Sequence, residues 1–224
     1  MSIAAALVLG AVVVSRGCGG IGIPPGYRTQ GAPFASGSVE GVLVFSTAAQ
    51  ARVAAYVRPE PDGCDEHVRP PVSVVWIDGP TAGAAPSSSG AGIRLGECGF
   101  EPSVAIAMKD TALSVRAPSA DHRLQAWLDG VRMFDATQGG STEMQLGSPG
   151  VWQIRCASGH PGEEAWVIVT ANPYGVPTTD DGHFEIRSVP EGSWTIFAWH
   201  PVLGTRKTSV DVAAKTATRL ELEF

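Results

Sequence analysis

The four cysteines carry the most reactive side chains of this sequence, and their positions point to three kinds of chemistry. Cys18 follows an apolar run, where an exported protein can carry a lipid. Cys156 precedes His160 in a candidate metal motif, because thiolates and imidazoles are ligands for copper and zinc. Cys64 and Cys98 remain, and an exported protein reaches compartments where disulfides persist. The sequence therefore predicts a Cys64–Cys98 disulfide, and the alternative is two unpaired thiols.

The apolar run covers residues 3–14 and matches the hydrophobic part of a signal peptide. It is shorter than the roughly 20 residues that cross a bilayer. The residues before Cys18 fit a bacterial lipoprotein signal at Gly17 but not at Arg16. Lipidation of Cys18, plain cleavage and a retained anchor therefore stay open. We expect a periplasmic or cell-surface protein that contacts the membrane only through this segment.

The elements that position the reactive residues are expected to be short strands. Glycine occurs 27 times and proline 17 times, and both residues interrupt helices. Residues 220–224 alternate between apolar and charged side chains, as in a half-buried strand, and Arg52 to Val57 is also interpreted as a strand. No convincing helical stripe is present. The predicted fold class is all-β, with a flexible linker over residues 19–36 before the folded body.

Charge and motifs exclude several classes of function. The net charge is −6 and no basic stripe exists, so a nucleic-acid partner is not expected. The sequence contains no G-x-S-x-G elbow, no H-E-x-x-H and no glycine-rich phosphate loop before a helix. We therefore expect a protein that is not an enzyme.

Three stretches near the C-terminus follow recognisable patterns: Thr179–Ile186 (D-x-x-G-x-F-x-I, with Thr179 at the position of the Asp), Val189–Trp194 (V-P-x-G-x-Y, with Trp194 at the tyrosine position) and Ala198–Pro201, which contains W-H. On these residues, the segment from Ala165 to the end resembles the carboxypeptidase regulatory-like family, a transthyretin-like β-sandwich. This module carries none of the zinc or catalytic residues of a carboxypeptidase.

The middle of the chain follows a second pattern, seen in Cys98–Val104, Pro118–His122 and Gly150–Cys156 with His160-Pro161. These stretches resemble a cupredoxin, the blue-copper sandwich, in the bacterial arrangement that embeds a plastocyanin-like segment in a regulatory-like sandwich. The two resemblances divide the chain into five parts: a signal segment (1–18), a linker (19–36), the first regulatory-like strands (37–92), a cupredoxin-like segment (93–164) and the remaining regulatory-like strands (165–224).

The cupredoxin resemblance implies a copper site. A blue-copper site takes two imidazoles and one thiolate in a plane, with a weak axial ligand that is usually Met. His122 matches the first imidazole, and Cys156 and His160 match the thiolate and second imidazole. The position of the family's Met holds Glu163, whose carboxylate suits Cu(II) or Zn(II) and would lower a copper potential.

Two further departures from the family pattern concern the loops. Three residues separate Cys156 from His160, where the family has two, and Arg123 stands where Asn commonly follows the first His. A cation at position 123 would repel a bound metal. Three interpretations stay open: a type-1-like copper site, a degenerate site without metal, and a changed site that holds another metal or another copper geometry.

Other candidate residues have simpler interpretations. His200 is expected to be structural, His183 to be exposed on a hairpin, and His67 to lie in a polar loop. Asp180 and Asp181 are turn formers before they are calcium ligands. The six tryptophans are expected in the core or at sandwich edges, and an exposed aromatic pair would favour sugar binding.

Together these features favour an exported, non-enzymatic β-sandwich related to blue-copper proteins. It would act as a structural or interaction module of the cell envelope, with a protein partner and a degenerate copper site. The alternative is a periplasmic copper protein that carries electrons or copper, and a third candidate is a carbohydrate-binding module.

Overall fold

The computed structural model describes residues 26–31, 34–56, 72–86, 91–136, 139–158 and 163–224. In these residues the chain forms strands β1 to β18 and a single helix, α1, so the predicted all-β fold class is confirmed. No helix in this part of the chain has the length and apolar character needed to span a bilayer.

The first sandwich is built from both ends of the described chain. One sheet has the strand order β15-β2-β18 and the other has the order β14-β3-β16-β17. Its strands are β2 (Ser36–Val44), β3 (Val74–Asp78), β14 (Gly175–Pro177), β15 (His183–Pro190), β16 (Gly192–His200), β17 (Gly204–Val212) and β18 (Ala217–Glu223). Alternate side chains such as Val39, Ile186 and Ile196 are fully buried between the sheets, as the period of two requires.

The second sandwich lies between β3 and β14 in the sequence, so it is an insertion in the first. Its sheets have the orders β10-β9-β12-β13-β7 and β11-β8-β5-β6. Its strands are β5 (Ala91–Gly96), β6 (Gly99–Glu101), β7 (Val104–Met108), β8 (Ala112–Arg116), β9 (Leu124–Leu128), β10 (Val131–Asp135), β11 (Thr142–Gln145), β12 (Gly150–Cys156) and β13 (Glu164–Thr170). Leu113, Leu124 and Ile154 are fully buried in its core.

Aromatic and aliphatic side chains join the two sandwiches. Trp199 of the first sandwich is buried, and its ring centroid lies 5.4 Å from that of Trp166 in β13. Val74, Val104 and Ile168 complete this buried junction. The junction holds the inserted sandwich against the sheet that contains β3 and β16.

Strand β13 places the end of the inserted unit later than residue 165. This strand pairs with β12 and β7, and its Val167 and Val169 side chains pack into the second core. Residues 165–170, which were expected to begin the last regulatory-like strands, therefore belong to the inserted sandwich.

The strand predicted from Arg52 to Val57 is wrong, because helix α1 (Thr47–Ala54) occupies its first half. The Ser46 side chain caps this helix by accepting a hydrogen bond from the Ala49 amide at 3.3 Å. The alanine-rich sequence favours a helix once such a cap is present, and Val53 packs against the first core.

The described part of the predicted linker is also ordered against the body. Tyr27 is buried in the first core, and its hydroxyl donates to the Ala84 carbonyl at 2.8 Å. The short strand β1 (Arg28–Thr29) pairs in parallel with β4 (Ala82–Gly83), and β2 already begins at Ser36. Residues 26–31 are docked because burying the Tyr27 ring offsets the entropy of ordering the chain.

Candidate metal centre

Three neighbouring strands of the five-stranded sheet bring the predicted ligands to one end of the inserted sandwich. His122 lies just before β9, Cys156 is the last residue of β12, and Glu163 lies just before β13. Both β9 and β13 are antiparallel to β12. The start of β9, the end of β12 and the start of β13 therefore meet at the same edge.

The side chains of these three residues converge. One ligand atom of each, taken from His122, Cys156 and Glu163, lies within 4.8 Å of the other two. His122 Nδ1 is 3.1 Å from Glu163 Oε2 and 3.8 Å from Cys156 Sγ. The His122 and Glu163 side chains are 15% and 9% exposed, so the cluster sits below the surface with access to solvent.

Backbone hydrogen bonds fix the segments that carry the cluster. The Cys156 amide donates to the Glu163 carbonyl at 3.2 Å, and the Ala157 amide donates to the Arg123 carbonyl at 2.7 Å. The Gly140 amide donates to the His122 carbonyl at 2.9 Å. All three candidate ligands are therefore positioned by main-chain contacts as well as by the sheet.

The positive charge of Arg123, which the sequence predicted would repel a bound metal, is paired with an acidic residue. Its guanidinium pairs with Asp135 at the end of β10, with Nη2 2.7 Å from Oδ1, and its Nε donates to the Ala136 carbonyl at 3.1 Å. The Asp135 carboxylate compensates the positive charge, so the expected repulsion of a bound cation is reduced. The sequence contained no pattern that linked these two residues.

The environment favours the protonated form of the Cys156 thiol. Burial raises the pKa of Cys156, and a hydrogen bond with the Glu163 carboxylate raises it further, while two hydrogen bonds from Ser158 act in the opposite direction. A cation that binds a thiolate must displace this proton, so binding and proton release are coupled.

The donor set and its spacing fit a small transition-metal ion. Ligands at about 2.0–2.3 Å from an ion, in tetrahedral or trigonal geometry, lie roughly 3.3–3.7 Å apart. The observed separations of 3.1 and 3.8 Å bracket this range. Nitrogen, sulfur and carboxylate oxygen together suit Cu(II) or Zn(II) better than Ca²⁺ or Mg²⁺, which take oxygen ligands.

Several predicted site residues lie outside the described part of the chain, namely Cys18, Cys64, His67 and His160. Cys156 is not disulfide-bonded. Cys98 is a turn residue between β5 and β6 and is not a free thiol. The Cys64–Cys98 disulfide, the lipid on Cys18 and the second imidazole of His160 stay predictions.

The other candidate residues lie apart from this cluster. His200 is buried in the first sandwich, and its Nδ1 accepts a hydrogen bond from the Val202 amide at 3.1 Å, as a structural histidine would. His183 is exposed on its hairpin, 3.6 Å from Asp181. Trp76 stacks on Phe197 with 5.1 Å between ring centroids, near the junction of the sandwiches.

A glycine next to the cluster allows a close backbone approach that sequence reasoning missed. A Cβ atom on Gly139 would lie 1.6 Å from the Ala120 carbonyl oxygen. We expect Gly139→Ala to displace the segment before His122 and to lower the free energy of unfolding by about 1–3 kcal/mol. Urea unfolding measures this loss. Gly147→Ala is the control, because a Cβ there meets nothing within 4 Å. Equal stabilities of the two variants would contradict the expectation.

Comparison with known proteins finds partial likenesses to solved copper proteins. No protein-family model matches the chain, and no curated protein matches it significantly. Solved structures that resemble it include a purple cupredoxin from Nitrosopumilus maritimus (19% identity, TM-score 0.31, 36% of this chain and 99% of that one) and pseudoazurin from Methylobacterium extorquens (17%, 0.30, 38% and 77%). A copper(I) amicyanin variant is 10% identical at a TM-score of 0.30, over 42% of this chain and 97% of that one. The carboxypeptidase regulatory-like resemblance stays an expectation, and the chain is an all-β protein whose solved neighbours include cupredoxins.

Proposed function

We propose that this protein binds a single copper ion at the end of its inserted sandwich, through His122, Cys156 and Glu163. The observation that supports the proposal is the convergence of one nitrogen, one sulfur and one oxygen atom within 4.8 Å. His122 and Glu163 are 41 residues apart in the sequence, so the fold brings the three ligands together. His160 is the candidate fourth ligand.

The donor set favours a particular kind of copper chemistry. The Cys156 thiolate supplies a soft ligand, and the Glu163 carboxylate supplies a hard one in the place of a thioether. A hard ligand stabilises Cu(II) relative to Cu(I), which lowers the reduction potential. The pKa of the Cys156 thiol is raised by burial, so copper binding to the thiolate is expected to release its proton.

A carrier or redox role is the proposed use of this site. The site is proposed to carry copper or electrons, and no catalytic residue is assigned to the chain. A protein of the cell envelope is the proposed partner.

Export is part of the same proposal. The apolar run over residues 3–14 and the cysteine at position 18 support a periplasmic or cell-surface protein, held to the membrane by a lipid or released after cleavage. A Cys64–Cys98 disulfide would be stable in such a compartment.

A second candidate function is a structural or interaction module whose copper site is degenerate. It is favoured by the contact between His122 and Glu163, which satisfies both side chains with each other at 3.1 Å and needs no ion. In that case Cys156 would act as a small hydrophobic side chain.

Titration of the metal-free protein with Cu(II), and with Co(II) as a metal that does not oxidise thiols, separates the two candidates. The copper-site proposal expects one equivalent of metal and an intense visible band from thiolate-to-metal charge transfer. His183→Gln is the control, because it removes an exposed imidazole that lies outside the cluster. A protein that stays colourless and retains no metal after desalting would contradict the copper site and leave the structural module.

A further inference from the structure

Ser158 makes two hydrogen bonds that bracket the candidate ligand His122. Its hydroxyl accepts a hydrogen bond from the Arg123 amide, with 3.2 Å between the nitrogen and Oγ, and donates one to the Asp121 carbonyl. These two groups belong to the residues immediately before and after His122. One side chain therefore fixes the main chain on both sides of the imidazole.

The position of Ser158 in the sequence gives these bonds a consequence for the cluster. Ser158 lies two residues beyond Cys156, in the turn that follows β12. The Ala157 amide adds a third connection, to the Arg123 carbonyl at 2.7 Å. These hydrogen bonds connect the segment that carries the thiol to the segment that carries the imidazole. They lie next to the place where Cys156 Sγ and His122 Nδ1 are 3.8 Å apart.

We infer that Ser158 is a positioning residue that sets the separation of the imidazole and the thiolate at the metal site. The inference rests on the proposed copper-binding function and extends it to a residue outside the ligand set. Ser158 is exposed, so its contribution to the hydrophobic core is small. The hydroxyl accepts from the Arg123 amide, contacts the Asp121 carbonyl and also contacts the Cys156 thiol, so it touches both segments that carry candidate ligands.

The alternative source of rigidity would be the main chain alone. The Ala157 and Gly140 amides hold the carbonyl groups of Arg123 and His122, respectively. They leave the Arg123 amide and the Asp121 carbonyl to Ser158. Without the hydroxyl, both groups would turn to water, and the imidazole would gain freedom relative to the thiolate. Loss of an outer hydrogen bond typically weakens metal affinity by about 10–100-fold.

The test compares Ser158→Thr, which keeps the hydroxyl, with Ser158→Val, which has almost the same shape without it. Cu(II) and Co(II) affinities and the energy of the thiolate charge-transfer band are measured for both variants and for the wild-type chain. We expect Ser158→Val to bind about 10–100-fold more weakly with a shifted band. Ser158→Thr should retain the wild-type affinity and band.

Two controls separate positioning from general stability. Ser119→Ala removes a hydroxyl that contacts Asp121 alone, at 3.3–3.4 Å within the same segment, and should leave affinity and band unchanged. Thermal unfolding of the metal-free variants should give similar midpoints, because a merely structural serine would lower stability without moving the band. Ser158→Ala repeats the comparison if the valine variant does not fold.

The outcomes distinguish this inference from the proposed function. A wild-type chain that binds no metal would overturn the copper site itself. A wild-type chain that binds metal, together with a Ser158→Val variant of equal affinity and an unshifted band, would overturn the positioning role alone.

Discussion

Replacing Cys156 with serine is expected to abolish the visible charge-transfer band and to weaken Cu(II) binding by more than about 100-fold, since losing a ligand exceeds the loss of an outer contact. The physical reason is that the sulfur is the soft ligand of the cluster, 3.8 Å from His122 Nδ1. A serine hydroxyl stays protonated near neutral pH and is a poor ligand for copper. Isothermal titration and absorption spectra of the purified variant measure both effects.

The matched change at the carboxylate should give a different result. Glu163→Gln keeps the size of the side chain and removes its charge, while the thiolate remains. We expect this variant to retain an intense band, because the sulfur ligand is unchanged, and to show a raised reduction potential, because a hard anionic ligand is lost. A Cys156→Ser variant that keeps the band would contradict the ligand assignment, as would a Glu163→Gln variant with an unchanged potential.

Replacing Trp199 with alanine is expected to lower the free energy of unfolding by about 3–5 kcal/mol, as for other buried Trp-to-Ala changes. The ring is 5% exposed and packs 5.4 Å from the Trp166 ring, where the two sandwiches meet. Its removal leaves a cavity in the junction and takes away a contact that both units share. Urea unfolding followed by fluorescence and far-UV circular dichroism measures the loss.

Trp127→Ala is the control for this prediction, since Trp127 is only half-buried on the outer face of the inserted sandwich. Its ring contacts the guanidinium groups of Arg132 and Arg155 at 5.9 and 5.7 Å. Each such contact contributes about 0.5–1 kcal/mol at exposed sites, so this variant should lose roughly 1–2 kcal/mol. Losses of equal size in the two variants would contradict a special role for the junction.

The two predictions with the largest expected effects concern the candidate metal centre and the junction between the two sandwiches. The junction around Trp199 joins the two sandwiches, and the edge of the inserted sandwich where β9 and β13 begin and β12 ends carries His122, Cys156 and Glu163. Measurements at Trp199 and at the cluster are therefore complementary. A loss of metal binding in Trp199→Ala without unfolding would indicate that the junction also shapes the ligand edge.

The regular parts of this protein could be predicted from the sequence because their signals are local. Alternation over residues 220–224 and the frequent glycines and prolines indicated strands and turns, and the structure is all-β. The same reasoning wrongly predicted a strand over residues 52–57, where helix α1 ends. The Ser46 cap and the packing of Val53 on the first core favour a helix there, and neither is an alternating pattern.

The sequence by itself determined the all-β class and the residue types of the candidate ligands, whereas the insertion of one unit into another was an expectation from the family resemblance. Only the tertiary structure decided the long-range contacts. These are the pairing of Arg123 with Asp135, the contact of Ser158 with both neighbours of His122, and the docking of Tyr27 on the first core. The physical reason is that strand propensity and side-chain chemistry belong to single residues and short windows. The distance between Cys156 and His122, 34 residues apart, depends on how antiparallel strands align and how their loops are tied.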